Sequence, residues 1–186
     1  MANLIDITYF YNHLLVAQKS DATVIETIDL LISELEPKIL GDLLGYELYK
    51  AYKAGIAVLP TPDAKWTNLR DGVEYTNRQN RLTKYRGFKF VEGTAKKSFI
   101  ANYVYWHYME IGETDTTGTG EKKSDNVNAV NASPVAKQVK AWNEMVDMIY
   151  ELIEYLLTNV DTYPEFQLHY GYIPRDIVKK QNVLGI

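Results

Sequence analysis

The sequence predicts a mainly α-helical subunit: a small helical bundle with a long polar loop, a short β-hairpin and an extended C-terminal tail. Residues 21–35 and 134–160 have apolar side chains spaced three and four apart, which is typical of amphipathic helices. A third apolar stretch, 94–111, lies between them and is rich in aromatic residues. We therefore expect a helical domain over residues 1–160 and a C-terminal arm over 161–186.

Composition bounds the classes of protein that this chain can be. Its 186 residues are enough for one domain with a real core, and its net charge of -4 gives no general attraction to nucleic acid. With no cysteine, the chain has no disulfide, thiolate metal ligand or cysteine nucleophile. We expect no secretory signal and no membrane-spanning stretch. The 15 tyrosines fit either a partly wet protein interface or a core with satisfied hydroxyls.

The first helix is predicted from its cap and its apolar face. Thr23 and Glu26 have the spacing of a capping box, and the apolar residues that follow share one face: Val24, Ile28, Leu31 and Leu35. Pro37 is expected to interrupt the helix and to begin a new turn. A further short helix is expected over 46–54, with Gly55 as its C-terminal stop.

The middle of the chain is less regular. Asp63 can cap a short helix that contains Trp66 and Leu69. A hairpin is predicted within 70–93, between strands at 73–75 and 85–91. Residues 94–111 should be helical, and their aromatic side chains surround the helix on several sides. Such a helix is either central or lies at an interface.

The longest regular pattern predicts a helix that starts at Pro134, with Ser133 as its N-cap. Its apolar face is predicted to contain Val135, Val139, Trp142, Val146, Ile149, Ile153, Leu156 and Val160. Charged residues recur at the same spacing on the opposite side, with lysines first and acidic residues last, so the helix must pack its apolar face against the rest of the domain.

The polar loop over 113–132 is the most unusual feature of the sequence. It contains no aromatic residue and no Leu, Ile or Phe, so it cannot bury enough apolar surface to order itself. We expect it, together with the aromatic tail over 163–186, to become ordered against a neighbouring subunit. The predicted interface residues are Thr114, Thr116, Thr117, Thr119, Lys122, Lys123, Asn126, Asn128, Tyr163, Phe166, Tyr170, Tyr172 and Ile173.

Two motifs superficially suggest chemistry. Residues 118–124 resemble a phosphate-binding loop, but Glu121 stands where that loop needs lysine, and the segment follows a helix rather than a strand. His107 and Glu110 are three residues apart and could face one metal ion, but two ligands do not make a site. A satisfied core histidine is the simpler interpretation of His107.

A pair of carboxylates, Glu34 and Glu36, could in principle serve acid–base chemistry, but helix capping and solubility explain both. No hydrolase, zinc-protease or dinucleotide motif is present in the sequence. We therefore expect no catalytic residue, no bound metal and no cofactor.

A local excess of basic residues over 70–97 is interleaved with aromatic residues. It can be a merely solvated hairpin, a contact for an acidic protein partner, or a nucleic-acid contact. The residues expected to touch DNA or an acidic partner are Arg78, Arg81, Lys84 and Arg86.

The order of several short motifs resembles small head–tail connector (adaptor) proteins of tailed bacteriophages, nearest those of Bacteroidetes-infecting phages, including crAss-like ones. The likeness covers residues 20–160, and none of its motifs is catalytic. The motifs are Glu36-Pro37-Lys38-Ile39-Leu40-Gly41-Asp42-Leu43-Leu44-Gly45, Leu48-Tyr49, Trp66, Asp71-Gly72, Tyr75, Tyr85-Arg86-Gly87-Phe88, the aromatic helix at 103–108, the loop from Thr114, and Ala141-Trp142-Asn143-Glu144-Met145.

The resemblance implies a structural, non-enzymatic virion protein. Such subunits form a ring, commonly of twelve copies, that docks on the portal protein, extends the DNA channel and joins tail or neck proteins. Packaged DNA would pass without sequence-specific contact, and the protein would lie in the virion neck after assembly in the host cytoplasm. Two alternatives stay open: another neck or tail-completion protein, such as a stopper, and a nucleic-acid-binding helper that uses residues 70–97.

Overall fold

A computed structural model describes residues 3–11, 14, 16, 20–58, 61–117, 120–123, 135–166 and 178–180. The chain is mainly helical, as predicted. A short 3-10 helix at Ile7–Phe10 precedes the other elements, which in chain order are α1 (Ala22–Ile56), α2 (Ala64–Asp71), β1 (Val73–Thr76), β2 (Leu82–Tyr85), β3 (Phe90–Glu92), β4 (Ala95–Lys97), α3 (Phe99–Glu113), β5 (Thr114–Thr117), β6 (Gly120–Lys123) and α4 (Val135–Thr158).

Helix α1 is one element with a kink, and the kink falls directly before the further helix that the sequence predicted over 46–54. Asp21, rather than Thr23, caps the helix by accepting a 2.8 Å hydrogen bond from the Thr23 amide. Pro37 lies inside the helix, so the predicted interruption there is wrong: burial of the surrounding apolar residues outweighs one lost hydrogen bond. The break falls at Gly45, whose φ of 74° is accessible to glycine without strain.

Gly55 is not the helix stop that the sequence predicted, because α1 continues to Ile56. A Cβ atom at Gly55 would lie 1.8 Å from Nε1 of Trp66 on α2. The glycine therefore permits the close packing of α1 on α2, and Trp66 is only 6% exposed there.

Two small hairpins replace the single one predicted. Strands β1 and β2 pair antiparallel from Val73↔Tyr85 to Thr76↔Leu82, which confirms the first predicted strand. The predicted 85–91 strand is interrupted by Gly87 (φ 80°), and residues 90–92 pair instead with 95–97. The side chain of Ser98 then caps α3 by accepting from the Ile100 amide (3.1 Å), so this helix begins later than position 94.

Helix α4 packs against α3, which also contacts α1, and this layer of three helices holds most of the core. Asn102 on α3 is buried and donates to the Ala141 carbonyl of α4 at 2.9 Å. Val135 and Val160, two ends of the predicted apolar face, are exposed. The face that is buried contains Gln138, Ala141, Trp142, Met145, Val146, Met148, Ile149, Leu152, Tyr155 and Leu156.

The sequence did not predict regular structure at the start of the polar loop, but the structure has a hairpin there. Directly after α3, β5 and β6 form an antiparallel hairpin from Thr114↔Lys123 to Thr117↔Gly120. Threonine occupies three of the four positions of β5 and favours a strand, and a Gly-Thr pair separates β5 from β6 in the sequence. The substantial contacts of β5 are with β6 and with α3, so this hairpin extends the helix rather than covering the core.

Candidate interaction surface

Three buried tyrosines and one half-buried tyrosine, Tyr75, form a connected cluster, which we call the tyrosine cluster: Tyr75, Tyr85, Tyr155 and Tyr163. Tyr85 and Tyr155 stack with ring centroids 4.6 Å apart, and Tyr155 and Tyr163 share a 3.1 Å hydrogen bond between their hydroxyls. Two further bonds run from the hydroxyls to backbone carbonyls, Tyr85 to Leu69 and Tyr163 to Lys65. Tyr85, Tyr155 and Tyr163 therefore fit the core interpretation of the tyrosines, with satisfied hydroxyls, and not the interface interpretation.

Tyr163 and Phe166 do not lie where the sequence placed them. Both were expected at a subunit interface, but they are 0% and 8% exposed within this chain. Burial removes them from the surface that a partner could reach. Within 161–166, Tyr163 and Phe166 therefore pack into the core of the same chain.

Two of the four predicted DNA-contact residues hold the β1–β2 hairpin on α4. Arg78 donates to the Leu157 carbonyl at 2.7 Å, near the C-terminal end of α4. Arg86 forms two hydrogen bonds with the Glu151 carboxylate, at 2.5 and 2.8 Å, and these bonds raise its pKa. Lys84 lies 5.2 Å from the centre of the Phe90 ring, and Arg81 is exposed at the hairpin end. A continuous basic face is therefore not assembled from these four side chains.

His107 and Glu110 form an ion-pair geometry with each other, with Nδ1 and Oε2 3.0 Å apart. The other carboxylate oxygen of Glu110 accepts from Nε1 of Trp106 at 2.9 Å. Within the described ranges, no group of three or more His, Cys, Asp or Glu side chains is placed to hold a metal ion. Glu110 instead fixes the orientation of the Trp106 ring.

Glu36 is not the solvated capping residue that the sequence suggested. It is 7% exposed, and its carboxylate accepts from the backbone amides of Leu4 and Ile5, which holds the N-terminal residues on α1. Burial raises the pKa of Glu36, although these hydrogen bonds act in the opposite direction. An adjoining cavity of about 110 Å³ is also lined by Tyr52, whose buried hydroxyl has no partner among the described residues.

Residues 178–180 lie on the surface formed by α3 and α4. Trp142 donates from Nε1 to the Val178 carbonyl at 2.8 Å. Asn143 makes a two-way pair with the Lys180 backbone, donating to its carbonyl (3.0 Å) and accepting from its amide (2.8 Å). The Lys179 ammonium lies 2.6 Å from the Asp147 carboxylate. We call the receiving residues the α3–α4 clamp: Trp106, Trp142, Asn143 and Asp147.

One lysine ammonium contacts both indoles of the clamp. Nζ of Lys180 lies 3.9 Å from the Trp106 ring centre and 4.5 Å from the Trp142 ring centre, with the two ring centres 4.9 Å apart. Such contacts stabilise a cation by about 0.5–1 kcal/mol at exposed sites and by more where water is excluded. Sequence reasoning missed this site because it joins residues 36 or 37 positions apart, although the aromatic content of α3 and α4 was visible.

The remaining predicted interface residues are placed only in part. Thr114, Thr116 and Thr117 lie on β5, and Lys122 and Lys123 lie on β6. The other six predicted interface residues lie outside the described residues: Thr119, Asn126, Asn128, Tyr170, Tyr172 and Ile173. No helix in the described part of the chain is long and apolar enough to cross a membrane.

Comparison with models of protein families, with curated proteins and with solved structures finds no match for this chain.

Proposed function

We propose that this chain is a non-enzymatic structural subunit of a tailed-phage neck, a head–tail adaptor that assembles into a ring on the portal protein. The observation that carries the proposal is the polar segment after α3. Its first part is a hairpin whose substantial contacts are with its own strands and with the end of α3. An isolated two-stranded hairpin is marginally stable in water, so a neighbouring molecule is a natural source of stability for this one.

The order of motifs along residues 20–160 adds to this proposal, since it resembles that of small head–tail adaptors. In the assembled state, the expected partners are further copies of the chain, the portal, and tail or neck proteins. A stopper-like neck protein is the alternative, and it differs in its position in the particle rather than in its chemistry.

The nucleic-acid-binding alternative is weaker than the basic sequence suggested. Arg78 and Arg86 are engaged with the Leu157 carbonyl and with Glu151. A helper of this kind would need these guanidinium groups for phosphate, and its affinity for DNA would fall steeply with salt. The ring proposal expects no such affinity beyond weak, non-specific contact.

The test is electron microscopy of the purified full chain, alone and mixed with the portal protein. We expect ring-shaped complexes that contain both proteins and that co-migrate on a sizing column. A variant that lacks residues 114–130 should remain a folded monomer and should not join the ring. A chain that stays monomeric beside assembled portal would contradict the proposal, and loss of helical circular dichroism in the deletion would show that the segment belongs to the subunit fold.

A further inference from the structure

We propose that the cavity beside Glu36 is a binding site for a small organic cation that carries N–H donors, of the guanidinium or alkylammonium class. The cavity has a volume of about 110 Å³ and lies where the N-terminal residues Asn3 and Leu4 meet α1. The inference does not depend on the proposed function, because its argument uses only the groups that line this cavity.

The kink in α1 builds the cavity. Sixteen positions separate Glu36 from Tyr52, and in a straight helix such residues would lie about 24 Å apart. The helix departs from helical geometry between them, at Gly45, and both side chains line the one cavity. A Cβ atom at Gly45 would meet nothing within 4 Å, so this glycine is needed for its backbone conformation rather than for space.

The Glu36 carboxylate is the main acceptor in the cavity. It is buried, and two backbone amides donate to it, those of Leu4 at 2.9 Å and Ile5 at 3.4 Å. A carboxylate offers about four acceptor positions, so these two donors leave part of its capacity unused. Among the described residues, no lysine, arginine or histidine forms an ion pair with Glu36. A buried carboxylate without a cation is a favourable place for one to bind.

The Tyr52 hydroxyl is the second group with unused capacity. The side chain is 1% exposed, and its oxygen has no hydrogen-bond partner within the described part of the chain. Buried polar groups without a partner are rare in folded proteins. Burial raises the pKa of Tyr52, Arg70 lowers it and the charge of Glu36 raises it further, so the hydroxyl is neutral at physiological pH and within electrostatic reach of the carboxylate.

The class of ligand follows from what the cavity offers. A carboxylate and a neutral hydroxyl oxygen both accept hydrogen bonds, so they favour a cationic N–H donor and disfavour an anion. The half-buried ring of Tyr49 lines the same cavity and already attracts a cation, since Nζ of Lys53 lies 5.4 Å from its centre. Asn3 and Lys53 are exposed at the rim, which leaves the cavity open to solvent. Guanidinium suits it well, because this cation is weakly hydrated and carries several donors.

The experiment follows the amide NMR spectrum of the full-length chain during titration with methylguanidine, at concentrations too low to denature it. We expect saturable shifts at the amides of Leu4 and Ile5, because these amides donate to the carboxylate that the cation would approach. Two control compounds should give no saturable shift: urea, which has the shape of guanidinium without its charge, and tetramethylammonium, which has the charge without N–H donors.

Variants locate the site. Tyr52→Phe removes only a hydroxyl that has no partner, so it should keep the fold and weaken binding about fivefold, as expected for one neutral hydrogen bond. Glu36→Gln should weaken binding about tenfold or more, because a charge-assisted contact is lost. Tyr46→Phe, at an exposed position of the same helix, is the matched control and should bind as the wild type does.

Absence of saturable shifts in the wild type, or equal shifts with urea, would show that the cavity holds only water and would overturn the site. Equal affinity of the wild type and Tyr52→Phe would overturn it as well. A capped glycine-arginine-glycine peptide then distinguishes the two sources of such a cation. Tighter binding of the peptide than of methylguanidine would identify the ligand as an arginine side chain of another protein, and weaker binding would identify it as a free small cation.

Discussion

The hairpins β1–β2 and β5–β6 have strands of equal length but opposite relations to the helices. The first is joined to α4 by stacked tyrosines and by an arginine–glutamate pair, and the second leads out from the end of α3. The sequences explain the contrast: the first pair of strands contributes Tyr75 and Tyr85, whereas Thr-Asp-Thr-Thr and Gly-Glu-Lys-Lys offer no large apolar side chain. A short hairpin acquires a fixed place in a fold through a few large anchors, and without them it is available to a partner.

The largest effect is expected from removing the centre of the tyrosine cluster. Tyr155 contacts three other tyrosine rings and is 3% exposed, so Tyr155→Ala should lower the free energy of unfolding by about 3–5 kcal/mol. Denaturant unfolding followed by circular dichroism measures this change. Tyr150→Ala on the exposed side of the same helix is the control, with an expected change within about 0.5 kcal/mol. Equal effects of the two substitutions would mean that the cluster does not anchor the first hairpin.

Alkaline pH should act on the same cluster. Burial raises the pKa of Tyr75 to about 12, and it also raises the pKa values of Tyr85, Tyr155 and Tyr163. A tyrosine in the unfolded chain has a pKa of about 10. Between about pH 10 and about pH 12, the folded protein therefore holds more protons than the unfolded chain. The stabilisation is therefore complete below about pH 10 and is lost as the pH rises toward about 12.

Tyrosinate absorbance and circular dichroism, recorded together over this range, follow that loss. Ionisation of the buried tyrosines should coincide with loss of helix, and Tyr75→Phe should make the dependence on pH shallower, because one titrating group is removed. Unfolding free energies that stay constant over the same interval would contradict the assignment.

A smaller effect is expected at the arginine anchor. Arg86→Met keeps the side-chain stem but removes both hydrogen bonds to Glu151, and since the pair is partly exposed we expect a loss of about 0.5–1 kcal/mol. Arg81→Met, at the exposed end of the same hairpin, is the matched control and should change stability by less than about 0.5 kcal/mol. Thermal unfolding at low and high salt distinguishes them, because only the first substitution should remove a salt-dependent contribution.

The smallest effect on the subunit should come from the second hairpin. Replacing residues 114–123 by a Gly/Ser segment of equal length should alter the free energy of unfolding by less than about 0.5 kcal/mol, because β5–β6 adds little to the core. The same variant should lose its ability to assemble, as sizing chromatography with the portal can show. A large loss of subunit stability would place the hairpin among the anchored elements.

The helices could be predicted from the sequence because their signals are local. The three- and four-residue spacing identified α1 and α4, and Asp63 correctly marked the cap of α2, where it accepts from the Lys65 amide at 2.9 Å. The prediction at Pro37 was wrong because it considered only the local helix-breaking effect of proline. It did not include the burial of apolar residues on both sides of Pro37. The prediction at Gly55 was wrong because this glycine makes room for the indole of Trp66, which is distant in sequence, and does not end the helix.

The candidate site was much less predictable, because its contacts join distant parts of the chain. Glu36 meets residues 31 or 32 positions earlier, and Trp142 meets Val178 across 36 positions. No periodicity or spacing carries such pairings. Composition did indicate where the packing signal weakens, in the polar segment after α3, but it did not indicate that the segment starts as a hairpin.

The most direct test of the account is amide hydrogen exchange of the two hairpins, in the isolated chain and in the assembled complex. We expect the amides of β1 and β2 to be protected in both states, and those of β5 and β6 to exchange freely in the isolated chain and to become protected on assembly. Strong protection of β5 and β6 in the solitary protein, equal to that of β1 and β2, would contradict the claim that this segment is stabilised by a neighbouring molecule.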